Sequence, residues 1–360
     1  MLLLSPVSGM GADPPILAIG ERAPDFDLPG VDGKRHRLQD FAAAEMLVVV
    51  FTCNHCPTAQ AYEGRIQKLA DDFRGRKVAL VAISPNDPRA LRLDELGYSD
   101  MNDTLEEMKI RARDRKFTFP YLYDGDDQKV SRAYGPAATP HVFIFDRERR
   151  LRYAGRIDDS ERPDKITLHD TRSAIEALLA GKPVPVEKTK TFGCSIKWSD
   201  KRPSVKAALE RWAAEEVTLQ KIDERGIRDL MRNDSGKVRL VNVWATWCGP
   251  CIVEFPELVS IHRMYRGRNF ELVTISADLP EKSDEALAFL RKQQASSRNY
   301  IFQLDDKYKL VEALDKEWPG ALPFTVIVEP GGKILYRQLG EFSSLDLRKA
   351  IVARLGRYYF

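Results

Sequence analysis

Two distant stretches of the chain follow the same plan, and that repeat is what most limits the fold. In the first, the apolar run EMLVVVFT ends at Cys53 of a C-x-x-C pair, and a segment with helical spacing follows from Thr58 to about Phe73. Next come KVALVAIS, a charged helical stretch from about Asn102 to Lys116, and TPHVFIFDRERRLRYAGRID, which reads as proline, strand, polar turn, strand. A helix from about Thr171 to Leu179 closes this half. In the second half, KVRLVNVWAT leads to Cys248, a helix runs from after Cys251 to about Tyr265, and FELVTISAD follows. A helix from about Ser283 to Gln294, the hairpin ALPFTVIVEPGGKILYRQLG and a helix from about Leu345 to Leu355 complete it. Pro140 stands 84 residues after Cys56 and Pro323 stands 72 after Cys251. Short apolar runs alternating with helical periodicity predict an α/β layered sheet in each half, and the shared order predicts a duplicated fold.

The totals agree with two domains, since 360 residues is about twice the roughly 150 typical of one. A net charge of +3, with no basic tract interleaved with aromatics, argues against nucleic acid as a partner. No apolar run approaches the roughly 18 residues a membrane span needs. The opening MLLLSPVSGMGADPP has a short leucine run, but its first basic residue is Arg22. It reads as a truncated export signal or a disordered lead-in over residues 1–17, and the compartment stays open, with an extracytoplasmic one favoured. Four of the 5 cysteines fall in the two C-x-x-C pairs, too few for a disulfide-stapled scaffold, so they are expected to do chemistry.

A thiol attacks a disulfide as the thiolate, and a free cysteine titrates at about 8.5. A helix amino terminus, with unsatisfied N–H groups and the positive end of the macrodipole, favours that anion. The strand-to-helix junctions therefore predict Cys53 and Cys248 as exposed attacking thiols. Cys56 and Cys251, about one turn on, are the expected resolving thiols. His55, inside the first pair, can lend the thiolate a hydrogen bond or positive charge. That would make the first dithiol the more oxidising of the two.

With these residues in view, WATWCGPC and the Leu322-Pro323 hairpin resemble thioredoxin, and specifically the TlpA/ResA-type reductases. ERAPDFDLPGVDGKRHRLQDF, FTCNHCP, TPHVFIFD and FGCSIKW resemble redoxin domains of the alkyl hydroperoxide reductase/thiol-specific antioxidant superfamily. The resemblance implies two thioredoxin-like folds, each a central mixed sheet flanked by helices. It places a redoxin domain at 18–198, a partly helical linker at 199–216 and a TlpA/ResA-like domain at 217–360. It also makes Pro140 and Pro323 cis-prolines beside the dithiols, with Thr139 and Leu322 offering backbone to an extended substrate and Trp247 part of the docking surface. Thioredoxin carries a buried acid where this chain has Asn242. The TlpA/ResA pattern instead has a glutamate three residues past the second cysteine, and Glu254 stands there, able to take the proton of Cys251.

Rival readings rest on the same sulfurs. Zinc is disfavoured because each pair sits in its own repeat. A Sco-like copper module would use Cys53, Cys56 and His141, although its cysteine spacing differs. FTCNHCPT also echoes the peroxiredoxin run F-T-x-x-C-P-T, with Cys56 as peroxidatic thiol and Thr52 as its hydroxyl partner. Against that, Val48 replaces the expected proline and Ala138-Thr139-Pro140 replaces the expected arginine, leaving the peroxide without a cation. Cys194 reads as a small buried apolar residue or a relay thiol. His36, His169 and His262 show no partners. The reading carried forward is a thiol–disulfide oxidoreductase. It acts on protein disulfides, takes electrons from an upstream donor, and needs no dissolved cofactor or metal.

Overall fold

The computed structural model describes residues 13–359, so 1–12 of the expected lead-in 1–17 lie outside the described residues. Two compact units emerge. One takes the chain up to Leu91, Met101–Val205 and the residues from Tyr358; the other takes Arg92–Asp100 and Lys206–Arg357.

The first unit runs β1 (Asp27–Pro29), β2 (Arg35–Arg37), β3 (Met46–Phe51), α1 (Pro57–Asp72), β4 (Val78–Ser84), α2 (Leu105–Arg115), β5 (Tyr121–Tyr123), α3 (Lys129–Tyr134), β6 (His141–Phe145), β7 (Leu151–Gly155) and α4 (Asp170–Leu179). Strands β1 and β2 form a small hairpin; the other five order as β5-β4-β3-β6-β7. Strand β3 pairs in parallel with β4 and antiparallel with β6. Every residue of β3 is buried, because its side chains feed two cores. Met46, Val48 and Val50 join Tyr62, Ile66 and Leu69 of α1, while Leu47, Val49 and Phe51 join Tyr134 and Phe143. A strand covered on both faces reads as a continuous apolar run, which is why EMLVVVFT carries no alternation.

The stretch expected as linker makes a single 3-10 turn at Ser199–Lys201 and then α5 (Arg202–Ala213). The second unit continues with β8 (Gln220–Ile222), α6 (Glu224–Arg232), β9 (Val238–Trp244), α7 (Gly249–Tyr265), β10 (Phe270–Ser276), α8 (Ser283–Lys292), β11 (Arg298–Phe302), α9 (Lys307–Leu314), β12 (Phe324–Val328), β13 (Ile334–Leu339) and α10 (Ser344–Leu355). Its sheet orders β13-β12-β9-β10-β11-β8. Strand β9 lies between parallel β10 and antiparallel β12, as β3 lies between β4 and β6. The two central strands therefore deliver their C-x-x-C pairs to equivalent places, each beside the start of an antiparallel hairpin. Among the described residues no helix is long and apolar enough to cross a membrane.

Candidate functional site

In the second unit β9 hands the chain to Cys248, and α7 begins at the next residue. Cys248 is the helix N-cap, its sulfur accepting the Cys251 N–H at 3.3 Å. Pro250 fits the first turn because it has no N–H there to leave unsatisfied. Cys248 and Cys251 are joined in a disulfide with Cα atoms 5.3 Å apart. The loop before them is fixed by Asp278, whose carboxylate accepts the Thr246 N–H and hydroxyl. Leu322–Pro323 is cis, and pairing of Phe324 with Val243 brings it to the end of β9 that leads to Cys248. Trp247 is 61% exposed, with the Lys307 ammonium 4.6 Å above its ring.

Glu254 lies one turn beyond Cys251 and is buried against the sheet. Its Oε1 accepts the Asn242 side-chain N–H at 3.0 Å, and its Oε2 accepts the Phe342 N–H at 3.4 Å. Burial outweighs these bonds and pushes its pKa up to about 7. A carboxyl tuned there can hold or release a proton at neutral pH. Asn242 also donates to Thr325 Oγ1 at 3.0 Å, so Glu254, reaching in from the helix, supplies the acid at this place in the sheet.

The first unit starts its helix one C-x-x-C later. Here Cys56 is the N-cap and Pro57 the first residue of α1, so Cys53 lies in the preceding loop. The Cys56 sulfur accepts backbone N–H groups from Ala59 at 3.4 Å and from Cys194 at 3.3 Å. Its thiol donates to the Thr139 carbonyl at 3.4 Å, while Cys53 Sγ contacts Thr139 Oγ1 at 3.2 Å. Thr139–Pro140 is cis. Burial opposes a Cys56 anion, but thiol hydrogen bonds from Cys194 and Cys53, the His55 charge and the Ala59 N–H win, holding its pKa well below the usual range. Burial and the hydrogen bond to Cys56 push Cys53 well above it. Where the sequence reading has Cys53 attack and Cys56 resolve, the surroundings of Cys56 favour its anion and those of Cys53 oppose it.

Exposure of the sulfurs is corrected too. Cys53 retains 3%, Cys248 6%, and Cys56 and Cys251 none. Each pair is buried where its central strand meets the following helix.

His55 is held by a residue the sequence did not single out. Its Nδ1 lies 2.6 Å from Asp103 Oδ2, and Asp103 Oδ1 accepts the N–H groups of Asn54 and His55 at 2.8 and 3.1 Å. Asn86 donates to Oδ2 at 2.7 Å. Burial alone would lower the imidazole pKa, but the charge and hydrogen bond of Asp103 reverse this and raise it. Burial would likewise raise Asp103, yet His55, Asn86 and the Asn54 N–H bring it down. Asp103 thus favours the charged form of the imidazole, and that charge favours an anion at Cys56.

Two family models match the chain in tandem: the AhpC/TSA family over residues 19–154 and Redoxin over residues 214–351. The chain is a tandem of an AhpC/TSA-family domain and a redoxin domain. Thiol-disulfide oxidoreductase ResA of Bacillus subtilis (strain 168) is 26% identical over 113 residues, covering 31% of this chain and 59% of that protein. Thiol:disulfide interchange protein CycY of Rhizobium leguminosarum bv. viciae is 29% identical over 146 residues, covering 41% and 69%. The chain spans 64% and 59% of the length of two ResA proteins it matches. A crystal structure of an uncharacterized conserved protein from Geobacillus kaustophilus is 37% identical, covering 52% of this chain and 96% of that one, at a TM-score of 0.46.

In the AhpC/TSA domain the copper set Cys53, Cys56 and His141 does not assemble. His141 Nδ1 accepts the Ala137 N–H at 3.1 Å, and burial pulls its pKa down to about 4. The thiol, imidazole and carboxylate that do converge, within 4.8 Å, belong to Cys53, His55 and Asp103. There the Asp103 oxygens already bind His55, Asn86 and two backbone N–H groups, so a cation would have to break that network. In the redoxin domain His262 is half-buried, and desolvation lowers its pKa to about 4.

Proposed function

We propose that the chain is a thiol–disulfide oxidoreductase acting on disulfides in other proteins through both dithiols. The observation that carries this reading is the repeated placement of a cysteine sulfur at a helix N-cap, beside a hairpin that opens on a cis X-Pro bond. In the redoxin domain Cys248 attacks as the thiolate and forms a mixed disulfide. Cys251 then attacks Cys248 and releases the reduced partner, with Glu254 taking the Cys251 proton. The Leu322 backbone and exposed Trp247 supply the docking edge. In the AhpC/TSA domain Cys56 carries the thiolate, His55 positions charge beside it, and Cys53 resolves. Electrons come from an upstream dithiol donor, and an extracytoplasmic setting belongs to the same proposal.

The test is turnover of a defined protein disulfide, insulin, driven by dithiothreitol. Cys248→Ser and Cys56→Ser should each remove a share of the full chain's rate, and the double variant all of it. A double variant turning over at the parental rate overturns the reading.

One observation favours a second reading, thiol peroxidase at Cys56: the stabilised thiolate stands at the peroxidatic position of the F-T-x-x-C-P-T run. Hydrogen peroxide consumption that is lost in Cys56→Ser, with insulin turnover intact, would select it.

A further inference from the structure

In the AhpC/TSA domain the place beside Thr139 is already taken by this chain. The Thr139 N–H donates to the Cys194 carbonyl at 3.0 Å, and the two residues form an isolated antiparallel bridge. Thr139 is the residue whose backbone the substrate of the proposed reaction would use. No such bridge forms at Leu322 among the described residues.

The occupying segment is built in, being anchored on both sides. Upstream, Lys188 bridges Ala154, and the Thr189 hydroxyl meets Tyr153 at 2.8 Å. Downstream, the Lys197 N–H donates to Asn86 at 2.9 Å, and its carbonyl accepts from Asp87 and Gln128, both at 2.9 Å. Between the anchors the backbone passes so close to the site that Gly193, at φ +138°, has no room for a Cβ. One would lie 2.1 Å from the Thr139 oxygen.

This strap delivers a third sulfur. Cys194 packs against the buried cluster of Cys53, Cys56 and Ala59, and its N–H donates to the Cys56 sulfur at 3.3 Å. Cys56 therefore stands between two thiols, one in its C-x-x-C loop and one on a strand docked where a substrate disulfide would dock.

We propose that Cys194 is a third redox thiol of the AhpC/TSA domain, a tethered substrate that exchanges disulfides with Cys56. From the Cys53–Cys56 disulfide, the Cys194 sulfur attacks Cys56. The Cys56–Cys194 bond forms as the Cys53–Cys56 bond breaks, and the proton lost by Cys194 ends on Cys53. The step moves no net electrons and needs no outside oxidant. It leaves the strap covalently locked and Cys53 free as a thiol. The raised pKa values of Cys53 and Cys194 suit each to be the protonated thiol left over when the other is bonded to Cys56.

The inference rests on the dithiol reading of this domain. Its test uses the full chain as Cys53→Ser with Cys248→Ser and Cys251→Ser, oxidised with one equivalent of diamide, alkylated, and mapped by mass spectrometry. An intramolecular Cys56–Cys194 peptide in the monomer is expected; recovery of both residues alkylated overturns the proposal. A second measurement needs no change at Cys53. The oxidised chain with only Cys248 and Cys251 replaced is held with iodoacetamide. A species with Cys53 alkylated and Cys56 linked to Cys194 should accumulate, and be lost in Cys194→Ser. Its absence from the Cys194-containing chain also overturns the proposal. Failure of insulin turnover with the Cys56–Cys194 link present would remove the proposed activity and leave this exchange standing.

Discussion

At the scale of the residue, proline decides which cysteine caps the helix. Pro57 after the second cysteine starts α1 there, whereas Pro250 between the cysteines lets α7 start after Cys248. That signal was legible in C-N-H-C-P against C-G-P-C, yet strand-to-helix position alone pointed to Cys53. Asp103 was not legible, because its partners arise from loops joined only by folding. Removing the His55 charge should take away one of the influences that favour the Cys56 anion. We therefore expect His55→Gln to move the pH midpoint of Cys56 alkylation upward, read by mass spectrometry in reduced protein; an unchanged midpoint would separate His55 from the thiolate. Glu254 supports two expectations. Glu254→Gln should slow insulin turnover through the redoxin domain roughly 100-fold at neutral pH, the scale of a positioned proton acceptor. It should also change the pH dependence of stability. A carboxyl raised from 4.5 to about 7 on folding contributes most below its unfolded value and loses that contribution as pH rises through the folded one. Denaturant titrations should show wild type losing stability relative to Glu254→Gln between those values, and parallel curves would refute the assignment.

At the scale of the element, long apolar strands and strongly periodic helices were readable. Helix α1 begins at Pro57 against the expected Thr58, and α10 begins at Ser344 against Leu345. The pieces not assigned from sequence are short: the β1–β2 hairpin, β5, α3, β8, α6, β11 and α9. Elements of three to nine residues give too little periodicity to rise above a loop. The strap was missed for another reason. Residues 188–198 form no ladder of their own, and their order comes from scattered bonds to β7, Asn86 and Gln128. Gly193 is its weak point. A side chain there meets both a left-handed backbone and the Thr139 carbonyl, and a strained backbone position costs about 1–3 kcal/mol. Gly193→Ala should therefore raise strap opening, and iodoacetamide labelling of reduced Cys53 and Cys56, by roughly tenfold. Labelling unchanged from wild type would mean that the strap does not guard the site.

At the scale of the whole molecule, the repeat was visible in the sequence because both halves use a central doubly buried strand. What the repeat concealed is that its sites are not copies. The redoxin domain offers Cys248 with exposed Trp247 and an unbridged Leu322 edge. The AhpC/TSA domain keeps Cys56 under its own strap. Chain order also hid the membership of Arg92–Asp100, which belongs with the second unit, where Arg357 pairs with Asp100 at 2.6 Å. Stabilising a reduced thiolate makes a dithiol more oxidising. Cys56 has two backbone donors and the raised-pKa His55 beside it, so the first dithiol should hold the higher potential. The most direct measurement equilibrates the full chain across dithiothreitol redox buffers, quenches with acid and counts modified cysteines by mapped peptides. We expect two separate two-electron steps, Cys248 with Cys251 oxidising at the lower potential and a pair containing Cys56 at the higher. If Cys53, Cys56 and Cys194 stay thiols at every poise that oxidises Cys248 and Cys251, the account of two working dithiols is contradicted.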